Sequence, residues 1–237
     1  VEQGDQGKNR IPRDHNRDYI GQSVHASVAA LRTFVPNWAD GRLVAAFDLH
    51  CPYMSGPNNE AIYIVGSSDE SMWRQQQAFG RLLETIQSGP LVYRVSDNLA
   101  FGQAWNTNDN VGPHKSCSRW ASDLEGIRLA ATFEIPYANA GGRPVTAESA
   151  REFGRSLARA LRSYLEPLDA ENAQPQKSQP VQIGGVFPQM TVMAQGLGSN
   201  SESGIGALIP WAQKLWAVGY VAFLGGLCLF LSTVEYL

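Results

Sequence analysis

Residues 43–49 read Leu43-Val44-Ala45-Ala46-Phe47-Asp48-Leu49, an almost continuous apolar run that ends on His50. A strand with one wet face alternates apolar and polar side chains, so a run without alternation predicts a strand covered on both faces. A layered α/β arrangement supplies such cover. Two more runs fit it: 61–65 (AIYIV) and 127–135 (IRLAATFEI), the second carrying Glu134 near its end. Helical spacing appears at 20–35 through Ile20, Val24, Val28, Leu31 and Val35. It returns at 70–87 through Trp73, Phe79, Leu82, Leu83 and Ile86, with Gly89 placed to end the helix. Thr146 can cap a third helix running to about Leu165 along Ala150, Phe153, Leu157, Leu161 and Tyr164, where Pro167 is expected to stop it. A strand is predicted at 91–95 (LVYRV), and 96–125 reads as a long polar loop of the kind that is often functional. The expected fold is α/β, a mostly buried mixed sheet flanked by helices.

The tail differs. Residues 215–231 (LWAVGYVAFLGGLCLFL) hold no charge, and with Ile209 to Ala212 in front they approach the ~20 residues that cross a bilayer as a helix. Trp211, Trp216 and Tyr236 sit where interfacial aromatics are expected. The expected organisation is therefore a domain at 1–168, a linker at 169–207 with one weak strand at 181–186, and an apolar helix at 208–237. Membrane association through 208–234 and a membrane-associated or extracytoplasmic location follow as expectations. A net charge of −3 with 17% charged residues leaves no basic surplus for nucleic acid. The cysteines, Cys51, Cys117 and Cys228, have no CxxC spacing; Cys51 and Cys117 are read as free thiols, with a disulfide as the alternative. The chain opens on Val1 with no signal-peptide pattern, and it is expected to begin inside a longer protein.

Three strings carry chemistry. His50 stands at a strand tip, where side chains converge on ligands in α/β sheets. Neutral imidazole suits Zn²⁺, with Asp48 close enough to orient it. Alone, such a histidine is ordinarily just hydrogen-bonded. Glu134, in Thr132-Phe133-Glu134-Ile135-Pro136, ends a buried strand, where desolvation is expected to raise its pKa toward that of a general base. A structural ion pair is the competing reading. In the third string, Asp14-His15-Asn16-Arg17-Asp18-Tyr19, Arg17 can grip a carboxylate in bidentate fashion with Asn16 adding a donor, or the string is a polar turn before a helix.

In order and rough spacing these strings resemble the zinc carboxypeptidases of the carboxypeptidase A/B superfamily, over about residues 9–168. The resemblance implies that Asn16 and Arg17 hold the terminal carboxylate of a peptide-like substrate. It implies that His50 is the third zinc ligand and that Glu134 activates the zinc-bound water. That family takes its first two ligands from a His-x-x-Glu element ahead of the Asn-Arg pair, and no His-x-x-Glu occurs in this chain. Those ligands, and an arginine that serves the oxyanion, are expected upstream of Val1. The family's mobile tyrosine has no counterpart between 98 and 120. Tyr53 and Tyr137 read as packing or loop residues, His25 and His114 as surface or capping residues.

Two functions follow. One is a zinc-dependent metallocarboxypeptidase, weakly active or inactive as this chain stands. The alternative is a non-catalytic module that recognises carboxylate-terminated peptides or cell-wall fragments through Arg17. A lesser third reading makes a local metal site from His15, Asp18 and His50.

Overall fold

The computed structural model describes residues 12–53, 55–172, 203–211, 214–223 and 226–234, with side chains described at 12–53, 55–110 and 112–166. The fold is mixed α/β. Strand β1 (Ala45–His50) lies parallel to β3 (Leu129–Glu134), and β2 (Tyr63–Val65) adds antiparallel to the far edge of β3. On the other side of β1 run β8 (Gly226–Val234), β7 (Lys214–Phe223) and β6 (Ser203–Trp211), each antiparallel to its neighbour. The sheet order is β2-β3-β1-β8-β7-β6, and β4 (Asn139–Ala140) pairs antiparallel with β5 (Arg143–Pro144) in a separate two-stranded ribbon.

Period-2 geometry sorts the side chains of β1 and β3 onto two faces. Ala45, Phe47, Leu49, Leu129, Ala131 and Phe133 share one face with Ile64. Over it pack α2 (Glu70–Ile86) and α5 (Ala147–Asn172). Phe47, Phe79 and Phe133 meet there at centroid distances of 5.1, 5.8 and 6.2 Å, tilted or edge-on, the arrangements that ring quadrupoles favour. On the opposite face Ala46 and Ala130 are small. Val28 and Val35 of α1 (Ala26–Ala39) and Trp120 of α4 (Cys117–Ala121) join them in a second cluster. Farther along this face the side chains become Asp48, His50, Thr132 and Glu134. The same sheet face that is core at its start is therefore polar at the strand tips.

Helix α2 starts where Asp69 accepts a hydrogen bond from the Met72 amide at 2.7 Å, an N-cap reinforced by Glu70 in the first turn. Its buried Gln76 is fully used. Its Nε2 donates to the Ala130 carbonyl at 2.7 Å and its Oε1 accepts from the Ser67 amide at 2.9 Å.

Several expectations need correction. Helix α1 begins at Ala26 rather than near Ile20, because the buried Asp18 carboxylate takes the amides of Val24 and His25 and holds 20–25 open, with Ile20 and Val24 exposed. The segment at 91–95 makes an isolated bridge, Ile62 to Tyr93, and then a 3₁₀ turn at Val95–Asp97. The Gln87 amide brackets Tyr93, donating to its carbonyl and accepting from its N–H at 2.8 Å each, which is what a neighbouring strand would have done. The polar stretch 96–125 contains two short helices, α3 (Asn108–Val111) and α4. Helix α5 passes through Pro167 to Asn172: proline's φ is compatible with a helix, although a backbone hydrogen bond is forgone and the ring crowds the preceding turn. The apolar tail is not a helix in its described part. It forms β6, β7 and β8, with β8 paired to the open edge of β1. Its β-branched and aromatic residues suit extended backbone better than helix, and its glycines disfavour a helix. No helix among the described residues is long and apolar enough to cross a membrane. The weak strand at 181–186 lies outside the described residues. Of the linker at 169–207, residues 169–172 belong to α5 and 203–207 to β6.

Candidate functional site

The parallel ladder between β1 and β3 pairs His50 with Glu134, and the β2 ladder pairs Tyr63 with Glu134. Residues opposite one another on a sheet share a face, so His50, Glu134 and Tyr63 stand together at the strand tips with Asp48 behind them. Glu134 and Asp48 are buried, at 8% and 1% exposure. Thr132, next along the face, donates to Ser118 at 2.7 Å. Trp105, from the long polar stretch, lies near the Tyr63 hydroxyl. Burial, and then the charge of Glu134, push the Tyr63 phenol well above its ordinary range.

The His15–Arg17 segment is a single 3₁₀ turn. It is tied to the chain near 115 by the Asp18–Lys115 bridge and by the Tyr19 amide donating to the Lys115 carbonyl. This places Asn16 between two elements distant in sequence. Its Oδ1 accepts from the amide of Cys117, the first residue of α4, at 2.7 Å, and its Nδ2 lies 2.9 Å from His50 Nε2. Asp48 Oδ1 lies 2.9 Å from the same imidazole nitrogen. Burial alone would lower the His50 pKa. The Asp48 charge and hydrogen bond, followed by the charges of Glu134 and Asp14, outweigh that and push it up to about 9.

Arg17 donates to the Asn16 carbonyl at 3.1 Å and makes no ion pair among the described residues. It lines a recess of about 340 Å³ together with Arg13, Asp14, Asp109, Asn110 and His114. Arg13 is committed elsewhere. Its Nε pairs with Asp18 Oδ1 at 2.6 Å and its Nη2 donates to the Gln22 carbonyl at 2.7 Å. Asp14 is the link between the recess and the strand tips, since it lines the first and its charge acts on His50.

Asp48 orients His50 as its position suggested, and Asn16 and Arg17 adjoin the site, although Asn16 contacts His50 directly. Asp18 does not stand in a metal site with His15 and His50. Its carboxylate is enclosed by Arg13, Val24 and His25, and these outweigh its burial and lower its pKa. His15 stacks on His25 with ring centroids 3.8 Å apart. His25 stands at the N-cap of α1, one of the two roles expected of it, and its ring also holds the Arg13 carbonyl at 2.8 Å. Cys51 and Cys117 are not joined in a disulfide. The exposed Tyr137 lies near Cys51 at the strand tip; the Cys51 thiol is pushed up by burial and by the charge of Glu134, with Tyr137 opposing.

A catalytic zinc takes three protein ligands. Among the described residues no three His, Cys, Asp or Glu side chains are grouped to hold a metal. These residues offer His50 but do not complete a zinc site. Sequence reasoning gave no role to Asp14, although it opens the third string, and passed over Tyr63 and Trp105, which carry no local motif and reach the site only through β2 and the loops. No protein-family model, curated protein or solved structure matches this chain.

Proposed function

We propose that this chain carries part of the machinery of a metallocarboxypeptidase-type hydrolase acting on peptide-like substrates. The observation that supports this reading is the pairing of His50 with Glu134 at adjacent parallel strand tips, with Asn16 and Arg17 alongside. Glu134, buried beside an imidazole, is suited to take a proton from water and return it to a leaving amine. Arg17, with no acidic partner among the described residues, is suited to a substrate carboxylate. In this reading His50 is one zinc ligand, and zinc would supply Lewis acidity. The other two ligands must come from outside the described residues.

The uncommitted guanidinium of Arg17 also favours a second reading, a non-catalytic module that binds carboxylate-terminated peptides or cell-wall fragments. Zinc stoichiometry by elemental analysis separates the two, measured on this chain and on a form extended upstream. One zinc per extended chain, lost in His50→Ala, supports the hydrolase. In that form Glu134→Gln should lower hydrolysis by roughly 10²- to 10⁴-fold. If neither form takes up zinc, the hydrolase reading fails and carboxylate binding through Arg17 is the function to measure.

A further inference from the structure

Strand β1 is held on its two sides in different ways. Toward β3 it runs parallel, and one apolar cluster from α2 and α5 covers both strands. Toward β8 it is joined by the ladder of Ala45–His50 against Leu231–Gly226, and β7 and β6 follow, each on the strand before it. Residues 173–202 separate the end of α5 from the start of β6. Fully extended, such a stretch reaches on the order of 100 Å, several times the ~16 Å radius of gyration of a domain of this size. A connection of that reach fixes neither the direction nor the register of β8, so its residues must select them.

The pairing shows how. Leu227, Leu229 and Leu231 stand opposite Leu49, Phe47 and Ala45, the residues of β1 on the face that α2 and α5 cover. Gly226, Cys228 and Phe230 stand opposite His50, Asp48 and Ala46. Sizes are complementary along this second set. The bulkiest residue of β8 falls opposite an alanine, and glycine falls opposite His50, whose Nε2 already faces Asp48 and Asn16. A slip of one position would turn the three leucines to the polar face. A slip of two would set Phe230 opposite the buried Asp48, or a glycine opposite Leu49.

We infer that the edge of β1 away from β3 is a strand-recognition surface whose ligand is an extended antiparallel segment with leucine at alternate positions and glycine beside His50. The tail strand β8 is that segment in cis. Backbone pairing supplies affinity and the alternate residues supply selectivity, as in strand addition to sheet edges generally. The same sequence on a separate peptide is recognised once β8 is displaced. Neither zinc nor a substrate enters this recognition.

The full chain is compared with Leu229→Asp, which sets a carboxylate opposite Phe47 and should release β8. The probe is a peptide of residues 226–234 with flanking lysines for solubility. Amide hydrogen exchange at Ala45–His50 should speed up about tenfold or more in Leu229→Asp, and return to within about twofold of native on saturation with the peptide. A peptide of the same composition with its three leucines moved to the intervening positions should bind about tenfold more weakly, as should one carrying Gly226→Val. Native exchange rates in folded Leu229→Asp overturn β8 as the occupant. Exposed β1 amides that the peptide leaves unprotected, or equal protection by the native and rearranged peptides, overturn recognition by sequence. Where circular dichroism shows Leu229→Asp unfolded, the register is tested in the full chain bearing Cys228→Ser. There Ala46→Cys with Phe230→Cys should close a disulfide about tenfold faster than Ala46→Cys with Ser232→Cys, and equal closure overturns the recognition.

Discussion

Asn16 stands between His50 and Cys117, its amide oxygen accepting from the Cys117 backbone N–H and its amide nitrogen 2.9 Å from the imidazole Nε2. The Cys117 N–H fixes which way the amide points, so the nitrogen side faces the ring. Asp48 approaches the same Nε2. One side-chain amide therefore joins the turn at 15–17, the tip of β1 and the first turn of α4. The predictions below depend on junctions of this kind.

Asp48 sets the charge of His50. Burial lowers the His50 pKa, and the nearby carboxylates, Asp48 first, raise it to about 9. In Asp48→Asn the strongest opposing partner is gone, and the His50 pKa should fall by roughly one unit or more. A raised folded-state pKa stabilises the fold fully below the unfolded value of 6.5, and that contribution is lost as pH rises toward 9. The native chain should therefore lose stability across this window, and Asp48→Asn should lose less. An NMR titration of the His50 ring, together with denaturation between these pH values, measures both.

Asp18 should govern acid stability. Burial tends to raise its pKa, but the amides of His25 and Val24 and the Arg13 guanidinium win, and the pKa lies below 3.8. A depressed carboxylate contributes stability above its unfolded value and loses it as pH falls through the folded value. The native chain should weaken below about pH 4, and Asp18→Asn should flatten this acid limb. At neutral pH Asp18→Ala should cost roughly 2–4 kcal/mol, since it removes an ion pair and the acceptor of two backbone amides. Urea denaturation across pH would record it.

Gly80 lets Tyr93 lie against α2. A Cβ at Gly80 would clash with the Tyr93 hydroxyl oxygen, which donates to Asn98 at 2.9 Å. Gly80→Ala should destabilise by roughly 1–3 kcal/mol despite alanine's better helix propensity. Because the clash is with one oxygen, Tyr93→Phe in the same chain should recover part of the loss. Additive effects in the double-mutant cycle would show the contact to be absent.

Phe133 lies where the aromatic cluster meets the sheet, 5.8 Å from Phe47 and 6.2 Å from Phe79, and is fully buried. Phe133→Ala should cost roughly 3–5 kcal/mol. The side chain points away from Glu134, so ligand binding in the folded fraction should be unchanged. A variant that binds differently while folded would show that the two faces are coupled.

Strands β1 and β3 were legible because both faces of each are covered, and that leaves a continuous apolar run in the sequence. His50 and Glu134 were legible for the same reason, as polar residues that interrupt or end such runs. Helix α2 was legible to within a residue, because Asp69, Glu70 and the apolar spacing agree. The segment at 91–95 was misread because Gln87, an ordinary surface residue by type, supplies the hydrogen bonds of a missing strand. The start of α1 was misread because Asp18 reaches past its neighbours to the amides of Val24 and His25.

Periodicity and apolar runs are properties of neighbouring residues, so the sequence by itself determined the α/β class, the two central strands and the residues at their tips. Which face those tips share and which nitrogen Asn16 meets are set by contacts between residues such as Asn16 and Cys117, 101 positions apart. The tail shows the same division. Its apolar length was plain, but length fits a helix and a hairpin alike, and the open edge of β1 decided for strands. A backbone edge with unpaired amides is a tertiary feature, and no local pattern in the tail encodes it.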